Sequence, residues 1–293
     1  MSLKWFSLAL GLSTAILSVS PVSAAPGHDH SSVGEEAIDR QRESLARSTS
    51  KQGFGPQSPR DLNQINGLNR RTFAAAPSRA TLNLCNIHFH ANAEHKGGDF
   101  TTYAGPGDGH GAGTGYRYNG VLSAAERRPL SFTVGKGKYG VLEPGDTLEV
   151  HYVHSSAKVK PGPGLGSCVD PAITNPQLRV ETIVVVLVND PAAADFQALT
   201  QINRVNGLYQ ATGLPTDLGQ PVSYAGSTTG PSYNETASPF QVTWNVRPRV
   251  LKVDISSVDR WLRDNPFDET AAHGVRNLVL NQTLLSPIPS GQR

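Results

Sequence analysis

The sequence predicts a β-rich α/β fold built as a single domain. Two observations carry that prediction. Short apolar runs rich in Val, Ile, Thr and Phe recur along the chain, and Gly and Pro separate them. Few stretches have helical spacing. The runs are ATLNLCNIHFH, RPLSFTV, DTLEVHYVH, RVETIVVVLV and FQVTWNV. The stretches AADFQALTQINRVNGL and SSVDRWLRDN read as helices, the second opening on a Ser cap. AGPGDGHGAGTGYRYNG reads as a long glycine-rich loop. It lacks the Gly-Lys-Ser/Thr ending of a phosphate loop, so it does not point to a nucleotide. No internal repeat is present.

The N-terminal end sets the compartment. Lys4 precedes an apolar run from Trp5 to Val22, and VSA ending at Ala24 fits signal peptidase, with Ala25 the next choice. Residues 1–24 are therefore expected to be a removed signal peptide, and the mature chain to be periplasmic or secreted. ETIVVVLVND is too short to cross a bilayer and reads as a buried strand, so no membrane span is expected in the mature protein. Residues 25–53 are polar and are expected to form an N-terminal arm. Within them EEAIDRQRESLAR is at most a short helix with a thin apolar stripe, and HDH at 28–30 reads as a solvated terminus. Residues 54–293 then form the folded domain. The net charge of +2 is spread along the chain, which excludes a nucleic acid or acidic-membrane partner as the leading reading. In an oxidising compartment Cys85 and Cys168 are expected to pair, which stabilises the fold by ~4–5 kcal/mol on the chain-entropy model. The rival reading, Cys85 as a metal ligand, lacks a second cysteine at ligand spacing.

The chemistry concentrates in CNIHFHANAEH, residues 85–95. On a strand, side chains alternate between faces, so Asn86, His88 and His90 share one face while Ile87 and Phe89 face a core. Two histidines in phase can aim their rings at one ion. In LEVHYVH, residues 148–154, Glu149, His151 and Val153 share a face, and His154 falls on the other as a structural histidine. His151 becomes the third ligand. Glu149 is placed to accept the proton of its outer ring nitrogen, and Asn86 to do the same for His88. Three neutral imidazoles with an open fourth position suit catalytic zinc.

These motifs as a set resemble the delta class of carbonic anhydrases. They are also similar to the alpha class, with its His-x-His and Glu-x-His-x-x-His pattern. The resemblance continues in GPQSPRDL, in AGSTTGPSYNETASPFQVTWNV and in SVDRWLRDN, and covers roughly residues 54–290. It implies a mostly antiparallel central β-sheet with few peripheral helices, a Zn2+ cofactor for which Co2+ or Cd2+ can substitute, and CO2/bicarbonate as substrate. Zinc lowers the pKa of its bound water to ~7, the value carbonic anhydrases exemplify, and the hydroxide attacks CO2. By resemblance Thr228 gates that hydroxide and passes its own proton to Glu94. The turn Gly226-Ser227-Thr228-Thr229-Gly230 is one residue shorter than the alpha-class pattern, so Thr229 competes for the role. Val153 and Val242 suit an apolar wall for uncharged CO2, or plain core. No residue matches the alpha-class proton shuttle; His110 qualifies only as a polar loop residue.

Two other readings compete. HFHANAE also satisfies His-x-His-x-x-x-Glu, the first motif of cupins, which would bind iron or manganese through His88, His90, Glu94 and His151. Against it, the flanking glycines are missing at 82 and 101. The third reading is a secreted binding protein that keeps the fold without turnover.

Overall fold

Period-two alternation builds the central sheet. The computed structural model describes residues 32–51, 60–63, 74–173, 175–229 and 236–276; the expected signal peptide and the HDH triplet lie outside them. In chain order the strands are β1 (Asn83–Ala91), β2 (Thr102–Pro106), β3 (Thr114–Arg117), β4 (Val134–Gly137), β5 (Gly140–Leu142) and β6 (Thr147–Ser155), then β7 (Leu178–Val188), β8 (Ile202–Val205), β9 (Leu208–Ala211), β10 (Val222–Thr229) and β11 (Ala237–Asp254). The main sheet has the order β1-β6-β7-β11-β10. Its neighbours are antiparallel except β7 and β11, so the sheet is mixed but mostly antiparallel. The remaining strands form three small hairpins.

The two faces of this sheet carry separate cores. On one, Ile87, Phe89, Val150, Tyr152, Ile183 and Val185 pack against Phe196, Val258 and Trp261. Phe196 belongs to the short helix α2 (Phe196–Leu199), and Val258 and Trp261 to α3 (Ile255–Arg263). On the other, Val153, Val180, Val184, Tyr224 and Trp244 pack together with the cysteines. The register of β1 against β6 shifts between Leu84 and Asn86, so Cys85 is the extra residue of a bulge. Cys85 and Cys168 are joined by a disulfide across a sequence separation of 83.

Helical spacing misled in one place. AADFQALTQINRVNGL forms only α2, and β8 and β9 follow as a hairpin pairing Val205 with Leu208. Its turn is Asn206-Gly207, both at positive φ (52° and 82°). Asn-Gly in that conformation is the favoured two-residue hairpin turn, and it outweighs the apolar periodicity. The cap of α3 is Asp254, which accepts from Ser256 N at 3.1 Å, rather than a serine. The glycine-rich stretch contributes β2 and β3, and Asp108 Oδ1 organises its tip by accepting from His110 N and Ala112 N. Part of the expected arm is a helix, α1 (Glu35–Thr49), with Ile38 and Leu45 buried. It docks on that tip, since Gln41 Nε2 donates to Gly109 O at 2.7 Å and Val33 N to Gly107 O at 2.8 Å. Among the described residues no helix is long and apolar enough to cross a membrane.

Candidate metal centre

The β1–β6 ladder places His88 directly opposite His151, and His90 opposite Glu149. Pleating turns all four towards the second core. A third segment completes the cluster. His273 N donates to Phe89 O at 2.8 Å and Ala91 N to His273 O at 2.9 Å, so residues 273–275 lie along β1 like a short extra strand.

Each of the three expected ligands is oriented by a bond to its outer nitrogen. His88 Nδ1 donates to Asn86 Oδ1 at 2.6 Å, and Asn86 Nδ2 donates in turn to Gly162 O at 3.1 Å, which fixes which end of the amide faces the ring. His90 Nδ1 donates to Gly274 O at 2.9 Å. His151 Nε2 donates to Glu149 Oε1 at 2.7 Å. In neutral rings these bonds leave His88 Nε2, His90 Nε2 and His151 Nδ1 as bare lone pairs. His88 Nε2 and His151 Nδ1 face each other at 3.2 Å. Two lone pairs so close repel unless a cation lies between them. A proton is a poor candidate, because burial, with the rings of His151, His273 and His90 nearby, pushes His88 well below its ordinary range. Burial likewise lowers His90 to about 4, with Glu94 opposing the shift. The donor set therefore fits a divalent metal held by neutral imidazoles.

Glu149 does more than orient His151. Its Oε1 also accepts from His95 Nδ1 at 2.7 Å, its Oε2 accepts from His95 N at 3.0 Å, and Tyr224 Oη donates to His95 Nε2 at 2.5 Å. Burial alone would raise the Glu149 carboxyl; its interaction with His95 and the hydrogen bonds from the His151 and His95 rings hold it well below the carboxylate range. Glu94 is equally buried, and Arg60 Nη1 lies 3.2 Å from its Oε2. Burial raises this group too, but Arg60, His90 and His151 outweigh it and bring Glu94 to about 2.

A cleft of about 560 Å³ opens over the histidines, and Asn86, Glu94, Val153, Thr228 and His273 are among its walls. Val180 and Trp244 also line it. Val242 does not line it; it is buried in the apolar cluster beneath. Thr228 sits where the β10–β11 register shifts, and its buried hydroxyl has no partner among the described residues. No hydrogen bond joins it to Glu94 among the described residues, and the side chain of Thr229 lies outside them. His110 is exposed on the glycine-rich hairpin, away from the cleft walls. His154 faces the other way, donating from Nδ1 to Tyr152 O at 3.0 Å, and burial lowers it to about 4.

Sequence reasoning missed three participants. His273 stacks on His88 at 5.1 Å between centroids, and its Nε2 is 2.8 Å from Glu269 Oε2. His95 and Arg60 stand beside residues the motifs did single out. His95 had a readable signal, being part of the same CNIHFHANAEH stretch; the single histidine in AAHGV had none.

Ligand atoms of His88, His90 and His273 lie within 4.8 Å of one another, and so do those of His90, Glu94 and His151. Either group offers a metal three donors, and His90 belongs to both.

Comparison with known proteins separates the competing readings. No curated protein matches the chain. Among solved structures, an alpha-carbonic anhydrase of Photobacterium profundum is similar at 16% identity over 85% of this chain and 97% of its own, with a TM-score of 0.27. The alpha-carbonic anhydrase of Thermovibrio ammonificans, solved with the inhibitor sulfanilamide, is similar at 14% identity over 84% and 94%, with a TM-score of 0.23. A family model described as delta carbonic anhydrase matches residues 79–257, which is more than half of the chain and includes both histidine motifs and Thr228. The cupin reading gives way to that match, and the chain belongs to the delta carbonic anhydrase family, whose reaction is the reversible hydration of CO2.

Proposed function

We propose that this carbonic anhydrase works through one zinc ion held by His88, His90 and His151. The observation that carries the reading is the approach of His88 Nε2 to His151 Nδ1 at 3.2 Å, with both outer nitrogens already donating. Zinc held there supplies a Lewis acid that makes hydroxide available at neutral pH. Glu149, Asn86 and the Gly274 carbonyl fix the three tautomers, so the lone pairs need no reorganisation. Val153, Val180 and Trp244 form an apolar wall that receives uncharged CO2. Thr228 accepts a hydrogen bond from the attacking oxygen and donates its own proton to Glu94, which is anionic and therefore able to accept. The Thr228 hydroxyl is buried with no partner among the described residues, and both it and Glu94 line the cleft, which supports this role.

Export fits the same picture. The Cys85–Cys168 disulfide is the kind of bond that persists in an oxidising compartment. The mature chain is expected to begin at Ala25, which N-terminal sequencing of the secreted or periplasmic protein checks.

The test is stopped-flow CO2 hydration with metal analysis on the mature protein, before and after chelation. Activity should vanish with the metal and return with Zn2+. Activity that survives complete metal removal would overturn the reading.

A further inference from the structure

A buried carboxylate beside a divalent cation ordinarily binds it, because no other partner in a dry site offers as much charge. Glu94 lines the same cleft as the histidines, and a carboxylate oxygen of Glu94 lies within 4.8 Å of one ring nitrogen each of His90 and His151. Its Oε1 is 3.7 Å from His90 Nδ1. Bound to the metal, Glu94 would cancel part of the charge that acidifies water. It would also be lost as the acceptor for Thr228.

Arg60 opposes this. Its guanidinium lies 3.2 Å from the other oxygen of Glu94, and both side chains are almost fully buried (1% and 3% exposed). The backbone holds the pair in register. Lys96 N donates to Arg60 O at 2.7 Å and Leu62 N to Lys96 O at 2.9 Å, so the segment carrying Arg60 is tied to the residue two beyond Glu94. Lys96 Nζ also pairs with Asp61 Oδ2 at 3.2 Å. A guanidinium is permanently charged and presents a rigid fork, so it competes with the metal at every working pH. Arg60 lies outside the segment that matches the family, residues 79–257.

We infer that Arg60 is a positioning residue that holds the Glu94 carboxylate off the metal and so fixes the ligand set at three neutral histidines. This rests on the three-histidine reading above. Without Arg60, Glu94 is left buried with no other permanently charged side chain paired to it among the described residues, and turns to the metal as a fourth protein ligand.

The experiment uses the mature protein loaded with Co2+, whose visible bands are strong in four-coordinate sites and weak in five-coordinate ones. Arg60→Gln should weaken the bands and slow Co2+ release to a chelator by about tenfold, in the range expected for changes around a metal site. Arg60→Lys keeps a cation at the position and should retain the wild-type spectrum. Glu94→Gln should leave the spectrum unchanged, and in the double variant Arg60→Gln/Glu94→Gln the bands should return to wild-type strength. If Arg60→Gln folds only with Co2+ present, that supports the inference, because the metal has replaced the lost counter-charge. Failure to fold even with Co2+ would overturn it, as would a Co2+-loaded Arg60→Gln with the wild-type spectrum, or a Glu94→Gln spectrum that changes. Wild-type protein that takes up no Co2+ overturns the three-histidine reading and this inference with it. The other negative results overturn the inference alone.

Discussion

The half of the cleft built on β1 and β6 and the half that comes from outside that strand pair are held together by different forces. His88, His90, His151 and Glu149 stand on β1 and β6, where ladder hydrogen bonds set their spacing. Glu94, Thr228 and His273 come from outside that strand pair, and their neighbours are Arg60, a register shift and a short strand-like segment. The first half is rigid because moving one residue would move the ladder. The second is adjustable at its side chains: the Thr228 hydroxyl has no partner among the described residues, and Glu94 meets Arg60 through an ion pair. A metal site needs the first property, and a gate that must trade hydrogen bonds during turnover needs the second.

Breaking the rigid half should have the largest effect. His88→Ala, His90→Ala and His151→Ala should each lose bound metal and fall to background hydration, measured by metal analysis and stopped flow. A variant that keeps full zinc would remove its residue from the ligand set. Disturbing the adjustable half should spare the metal. Glu94→Gln and Thr228→Ala should keep zinc and lose roughly 10²-fold in kcat/KM, as expected when a positioned proton acceptor is removed. On the proposed Thr228–Glu94 hydrogen-bond chain, the double variant should be little worse than either single. A fully active Thr228→Ala beside an inactive Thr229→Ala would move the gate by one residue. Glu149→Gln lies between these cases, because it removes the acceptor behind His151; metal affinity should fall by roughly 10–100-fold.

Two stability measurements sharpen the contrast. Glu94 has a folded-state pKa of about 2, below the ordinary carboxylate value. A depressed carboxyl stabilises the fold above its unfolded pKa, and that contribution is lost as pH falls through the folded one. The metal-free protein should therefore lose stability below about pH 4.5, on the order of 3 kcal/mol from this group by pH 2. Glu94→Gln should lack that share, as the difference between the two urea-unfolding series will report. Replacing both cysteines by serine should cost ~4–5 kcal/mol of stability on the chain-entropy model and leave the activity of the folded protein nearly intact. The wild-type protein, denatured without reductant, should show no free thiol.

What the sequence revealed of this site follows the same division. Period-two alternation depends only on neighbours, so CNIHFHANAEH and LEVHYVH disclosed their facing residues without knowledge of the fold. The Arg60 partner of Glu94 and the Gly274 partner of His90 could not be read that way. His90 meets Gly274 across 184 residues, and no local pattern encodes that pairing. Arg60 was visible in GPQSPRDL, but its burial against Glu94 depends on backbone bonds to Lys96. The β8–β9 hairpin shows the opposite failure: the decisive Asn206-Gly207 signal was local, yet apolar spacing on either side of it suggested a helix.

The Cys85–Cys168 bond gives the chain an unusual topology for metal capture. Chemically the oxidised polypeptide is a ring with two tails, and His88, His90, Glu94 and His151 all lie within the ring. A closed loop limits how far its members can separate even when nothing else is folded. Each histidine then meets the others at a raised effective concentration. On the three-histidine reading, oxidation before metal uptake should favour an ordered assembly in which the ring collects the ion first and the tails bearing Arg60, Thr228 and His273 close over it afterwards. Refolding the oxidised and reduced chains at limiting Zn2+ would show this order as faster metal acquisition by the ring.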